Sequence, residues 1–248
     1  MRSKCPETIC DGSRAWFPLV GEFAARMIQI FHVTKYYDRR PALMDVNLQI
    51  EKGEFVLLMG PSGAGKTTLL KLLYSATSLD EGQILIQGRN VARLKPSAVP
   101  YLRRTMGVVF QDFKLLPKKS VYDNVALPLL VQGLSSFETR RKVMEALKAV
   151  GVDHRKESRP TMLSAGEQQR VCIARSVVNS PIILLADEPT GNMDAELARE
   201  IVELFKTINA RGTTVLVATH NRQVIEQVGR RVVTLDQGKV VSDEGKGL

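Results

Sequence analysis

The run Gly60-Pro61-Ser62-Gly63-Ala64-Gly65-Lys66-Thr67 joins small residues to a lysine and a threonine at a spacing that suits a polyphosphate. Small residues let successive backbone N–H groups turn toward phosphate oxygens, and a helix opening at Lys66 adds the positive end of its dipole. Lys66 would then reach the outer phosphates, Thr67 would hold Mg2+, and Thr68 would extend the same helix start. A second run, Ile182-Ile183-Leu184-Leu185-Ala186-Asp187-Glu188, is an apolar strand ending in two acids. Such a strand delivers carboxylates to the carboxyl edge of a parallel sheet, where ligands bind. There Asp187 suits a metal shell, and Glu188 could polarise an attacking water. Read without the first run, the two acids are equally well a helix cap.

The elements that must position these groups are legible from periodicity. Ile28 to Val33 and Leu43 to Ile50 alternate as half-buried strands, and Glu54 to Met59 is a denser, buried strand running into the glycines. A helix follows from Lys66 with Leu69, Leu70, Leu72 and Leu73 toward a core. After a turn at Asp80-Glu81-Gly82, short strands are expected at Gln83 to Gln87 and Gly107 to Phe110. From about Val121 to Leu163 the pattern is helical, with Ser135 and Glu138 as a capping signal and Gly151 as a stop. Strand and helix then alternate again: a helix over Gly166 to Asn179, a strand Ile182 to Asp187, and a helix from Ala195 capped by Asp194. A strand Thr214 to Thr219, a short helix after His220 and a hairpin near Gly238 complete the order. This is an α/β core with a mainly parallel sheet, into which a helical stretch is inserted.

Composition sets the outer limits. The 248 residues are 44% hydrophobic and 25% charged, enough for one compact unit with subdomains. The net charge of +9 is spread over scattered pairs such as Arg39-Arg40 and Lys118-Lys119, so it reads as a solvated basic surface and no nucleic acid is expected. No apolar run reaches the length of about 18 residues that a spanning helix needs, so any membrane link must come through a partner. Three cysteines, Cys5, Cys10 and Cys172, fit a reducing compartment better than a disulfide framework. Residues 1–26 join no periodic pattern and read as a disordered extension or a start placed too early, leaving 27–248 as the folded unit.

Further motifs carry a resemblance. Leu163-Ser164-Ala165-Gly166-Glu167-Gln168-Gln169-Arg170 resembles the signature of ABC ATPases, upstream of the acidic strand. Gln111 resembles that family's Q-loop glutamine, Asn192-Met193-Asp194 its D-loop, and His220 its switch histidine. The resemblance covers nearly all of Met27 to Gln237. It implies a P-loop NTPase fold of ABC type, with an antiparallel β subdomain and a helical subdomain at roughly 112–164. It implies ATP and Mg2+ as ligands, with Tyr37 stacking on adenine and Gly60, Pro61, Ser62, Gly63, Ala64, Gly65, Lys66, Thr67 and Thr68 cradling the phosphates. Thr67, Gln111 and Asp187 would hold the metal, while Glu188, His220 and Gln111 would carry the chemistry. Ser164, Gly166, Glu167 and Asp194 would meet nucleotide held by a second copy, which implies a head-to-tail homodimer. The family usually has glycine where Ala165 stands, so its methyl group could crowd the phosphate or restrict the backbone.

Within the family, Glu167-Gln168-Gln169-Arg170 and Glu188-Pro189-Thr190-Gly191-Asn192-Met193-Asp194 are similar to a bacterial group comprising the FtsE, LolD and MacB families. The segments Phe110 to Leu116 and Val121 to Leu129 most resemble FtsE. That resemblance implies an FtsX-like integral membrane partner, division-machinery proteins beyond it, and a place at the cytoplasmic face of the inner membrane. It also implies a role in regulating peptidoglycan hydrolysis, with the segment Asp112 to Asn124 as the partner's socket. The alternative within the class is lipoprotein release or efflux. A DNA- or ribosome-directed ATPase would carry a long coiled-coil insertion or a second cassette, and a P-loop kinase would need an acceptor lid where Leu163 to Arg170 stands.

Overall fold

The computed structural model describes residues 26–191, 193–221 and 229–245. Expectations for Cys5, Cys10, Asn192 and the short helix after His220 lie outside the described residues. Two sheets organise the chain. A four-stranded antiparallel sheet comprises β1 (Arg26–Tyr37), β2 (Arg40–Glu51), β4 (Glu81–Ile86) and β5 (Arg89–Asn90) in the order β2-β1-β4-β5. A six-stranded sheet comprises β3 (Phe55–Met59), β6 (Met106–Val109), β7 (Ile183–Asp187), β8 (Thr214–Thr219), β9 (Arg231–Asp236) and β10 (Lys239–Glu244). Its order is β10-β9-β3-β8-β7-β6, parallel except for the terminal β9–β10 hairpin.

The side-chain period of two divides the central strands between two cores. In β3, Phe55 and Leu57 enter one cluster while Val56 and Leu58 enter the other; Leu184 and Ala186 against Ile183 and Leu185 do the same in β7. A sheet covered on both faces explains why these strands read as apolar runs without alternation. One cluster lies between the sheets and around α1 (Lys66–Leu73), through Leu69, Leu70, Leu72 and Leu73.

The other cluster holds the helices α3 (Val121–Gln132), α4 (Ser136–Ala149), α5 (Ala165–Val177) and α6 (Ala195–Ala210). In α6, Ala198, Ile201, Val202 and Phe205 form the buried stripe, spaced at i, i+3, i+4 and i+7. A short helix α2 (Val99–Arg104) precedes β6 and had no periodic signal of its own. At the start of α4, the Ser135 side chain accepts a hydrogen bond from Glu138 N, the expected half of the capping signal. The capping box is complete at two other starts, Ser120 with Asp123 and Ser164 with Glu167.

Candidate functional site

The glycine-rich run forms the turn between β3 and α1, as a strand running straight into small residues requires. Three of its glycines have positive φ: 154° at Gly60, 83° at Gly63 and 104° at Gly65. A side chain at Gly65 would stand 2.5 Å from the carbonyl oxygen of Ala42, whereas one at Gly63 would meet nothing within 4 Å. The loop therefore packs tightly at its base and faces open space at its crest. That space is a cavity of about 340 Å3 lined by Ala42, Pro61 to Thr68, Gln111, Glu188 and His220. Residues predicted from four distant parts of the sequence thus converge on one place.

Lys66 is the centre of the arrangement. Its side chain is only 6% exposed, and its Nζ donates to the carbonyl oxygens of Gly60 at 2.7 Å and Pro61 at 3.1 Å. The same ammonium lies 3.3 Å from Glu188 Oε1. Glu188 in turn accepts from His220, whose Nδ1 is 2.9 Å from Oε1 and whose backbone N is 3.3 Å from Oε2. Glu188 sits just beyond β7 at φ 46°, a left-handed conformation that a glutamate adopts only under constraint. Its backbone N is bonded to Ala218 O of β8, which supplies that constraint.

Thr67 Oγ1 donates to Asp187 Oδ1 at 3.1 Å, placing a hydroxyl and a carboxylate side by side at the cavity's rim. Burial pushes the Asp187 carboxyl above its usual range; the Thr67 hydrogen bond opposes this and the nearby charge of Glu188 reinforces it. A divalent cation would favour the ionised carboxylate and relieve that cost, so hydroxyl plus desolvated carboxylate is a fitting donor set for Mg2+. Among the described residues no cluster of three His, Cys, Asp or Glu side chains exists that could hold a metal unaided.

The remaining predicted residues stand elsewhere. Tyr37 is 43% exposed at the end of β1 and does not line the cavity; Lys35 Nζ lies 5.5 Å from its ring centroid. The signature residues Ser164, Gly166 and Glu167 also lie away from this cavity, at the start of α5. Glu167 is occupied there: its carboxylate accepts from Ser164 N at 2.9 Å and from Arg155 at 2.8 Å, contacts that hold it below the usual carboxylate range. Asp194 caps α6 by accepting from Leu197 N at 2.8 Å. Ala165 is the first residue of α5, and its φ is not positive, so the backbone there does not require glycine.

Sequence reasoning missed Asp80, read only as part of a turn. Its carboxylate accepts from Tyr36 N at 2.7 Å and Lys35 Nζ at 3.2 Å, fixing the strand end that presents Tyr37. It missed Ala42 as well, because an alanine in a strand carries no chemical signal.

The sequence profile of the ABC transporter family matches residues 43–191. The cell division ATP-binding protein FtsE of Streptococcus pneumoniae is 47% identical over 222 residues, 89% of this chain and 96% of the relative. FtsE of Mycobacterium tuberculosis is 49% identical over 224 residues, 90% of this chain and 97% of the relative. The chain belongs to the ABC ATPase family, within its FtsE group. As an ABC cassette it is an ATPase, and the antiparallel sheet, parallel core and inserted helices are the architecture of that class. The dimeric structure of MJ0796, a bacterial ABC transporter cassette, superposes with a TM-score of 0.84 at 38% identity, covering 90% of this chain and all of the other. The same cassette in a post-hydrolysis dimer bound to ADP and Pi gives a TM-score of 0.83 at 37% identity, again covering 90% of this chain and all of the other. No helix among the described residues is long and apolar enough to cross a membrane.

Proposed function

We propose that the cassette hydrolyses ATP between two copies of itself and passes the resulting movement to an FtsX-like membrane protein, regulating peptidoglycan hydrolysis during division. The observation that carries this reading is the buried Lys66 ammonium, held by Gly60 O, Pro61 O and Glu188 at the floor of a cavity of nucleotide-phosphate size. A buried cation facing an open, glycine-lined cavity is a receptor for an anion.

In this reading the backbone N–H groups from Ser62 to Thr68 bind the phosphates, and Lys66 turns from Glu188 to the outer phosphate. Thr67, Asp187 and Gln111 would hold Mg2+, which when bound neutralises phosphate charge. Glu188, released from Lys66, accepts a proton from the attacking water, and His220 keeps the carboxylate aimed. The base itself stacks on Tyr37. The second copy brings Ser164 and the free backbone N–H groups at Ala165 and Gly166, with Asp194 and Glu167 shaping that surface. The ATPase domain comprises 27–248, with a helical subdomain at roughly 112–164, and it sits at the cytoplasmic face of the inner membrane through its partner.

The partner's socket lies beside Gln111. The segment Asp112 to Asn124 was its expected wall, yet Phe113 and Leu115 pack inward against the helical core. Asn124, fully buried, pins the loop by accepting from Leu116 N at 2.7 Å and donating to Ser120 O at 2.8 Å. Leu116 of the segment is exposed, and further exposed apolar surface lies next to it, at Tyr101, Leu127, Leu130 and Val131. A groove of about 550 Å3 runs there between α2, α3 and Phe110, the neighbour of Gln111. An amphipathic cytoplasmic helix of the membrane partner is the occupant this surface suits.

Co-expression with an FtsX-type membrane protein tests the proposal. Co-purification and partner-dependent ATP hydrolysis are expected; a cassette that neither binds nor responds to any such protein would contradict it.

A further inference from the structure

Directly after Gln111 the backbone makes a turn that its sequence does not favour. Lys114 N donates to Asp112 O at 2.6 Å, closing a three-residue turn around Phe113, whose φ is 60°. That is the positive-φ form of the γ-turn, rare and strained in L-residues. Lys114 follows at φ 50°, so two consecutive side-chain-bearing residues hold a left-handed conformation with no glycine to ease it. Such a conformation persists only where its surroundings over-determine it.

The surroundings are one face of α5. Arg175 Nη2 donates to Phe113 O at 2.7 Å and Nη1 to Lys114 O at 2.6 Å, and Cys172 Sγ donates to Phe113 O at 3.1 Å. Both carbonyls of the strained pair are thus gripped by a planar fork whose two parallel donors fit two successive acceptors. Cys172 is fully buried, and burial pushes its thiol up to about 12, so it stays a neutral donor. The bonds of this grip span 59 to 62 residues of chain, and neither residue lines the nucleotide cavity; Arg175 also lines the groove beside α2 and α3.

We propose that Arg175 is a positioning residue for hydrolysis: by holding the Phe113–Lys114 turn it sets Gln111 at the cavity edge and ties it to α5. The inference rests on the reading that Gln111 contacts the metal or the water. Arg175 stands ten residues, about 15 Å of helix, from Ala165, at the start of the same helix. A displacement of the signature end of α5 is therefore transmitted through the guanidinium to Gln111. The arrangement makes Gln111 responsive to whether a second copy has docked.

The test measures kcat and KM for ATP on the full chain with Mg2+, for Arg175→Gln, Arg175→Lys, Gln111→Ala and the double variant. Arg175→Gln should lower kcat by roughly tenfold with KM nearly unchanged, Arg175→Lys should fall between, and Arg175→Gln should add little in the Gln111→Ala background. Equal kcat losses in both backgrounds, or a raised KM with kcat intact, would overturn the proposal alone. Gln111→Ala at the parental kcat would overturn the reading beneath it as well. Should Arg175→Gln fail to fold, the exposed Lys114→Pro serves, since proline forbids φ 50° and removes the closing N–H. Lost kcat with nucleotide affinity kept supports the proposal, and parental kcat overturns it.

Discussion

Lys66 Nζ and Glu188 Oε1 lie 3.3 Å apart, both almost wholly buried, so the group that would bind phosphate and the group that would activate water restrain each other. Removing either partner has a different consequence. Glu188→Gln frees Lys66 and removes the proton acceptor: nucleotide affinity should hold or rise, while kcat falls by about 10²–10⁴-fold. Lys66→Ala removes the anion receptor and strands Glu188 without its counter-charge, so nucleotide binding itself should be lost. Equilibrium binding of a fluorescent ATP analogue beside steady-state hydrolysis checks both. Parental turnover by Glu188→Gln would remove Glu188 from the mechanism.

Asp187 gives a signed pH effect. Burial raises its pKa above the ordinary value, so the folded, nucleotide-free protein holds this proton more tightly than the unfolded chain. Stability is therefore lost as pH rises through the window from about pH 4 to the raised value, and the cost persists at neutral pH. Asp187→Asn escapes it. The difference in Tm between Asp187→Asn and the parent should be positive and grow across that window, while the rise in Tm on adding Mg·ATP should shrink in the variant. A difference that is negative or constant with pH contradicts this account of Asp187.

The two glycines of the phosphate loop separate folding from binding. Gly65→Ala drives a methyl group against Ala42 O and Leu43, so thermal stability should fall by on the order of 1–3 kcal/mol. Gly63→Ala meets no protein atom and should cost only the left-handed penalty of about 1–2 kcal/mol. In the proposed nucleotide complex its methyl group would stand in the space of the phosphates, so ATP affinity should drop more than stability. Thermal melts with and without nucleotide distinguish the two.

Much of this site was legible because its signals are local. Gly60 to Thr67 and Ile182 to Glu188 announce a strand, a turn and a functional group within one short window, and the capping residues Ser135 and Asp194 mark helix starts by chemistry alone. What stayed hidden depends on pairing between distant strands. That β8 lies between β3 and β7 brings Glu188 and His220 to Lys66, and no local pattern states that order. Asp80 and Arg175 were illegible for a related reason: their partners are backbone atoms 44 and 61 residues away, which carry no side-chain signature.

The docking surface yields a paired prediction. Val131→Asp places a charge on an exposed apolar position and should leave solution ATPase activity unchanged while abolishing stimulation by the membrane partner. Leu115→Asp buries its charge in the helical core, so it should lower Tm as well as coupling. ATPase assays in detergent with and without the partner, beside melting curves, compare them; full stimulation of Val131→Asp would exclude this groove.

In the proposed dimer each ATP site is completed by a second copy, Lys66 of one facing Ser164 of the other. Sedimentation of purified Glu188→Gln with Mg·ATP, and again with Ser164 also changed to Arg, measures this directly. The account predicts an ATP-dependent dimer carrying two nucleotides that dissociates in the Ser164→Arg protein. A monomer that binds ATP tightly at every concentration, or a dimer indifferent to Ser164→Arg, would contradict it.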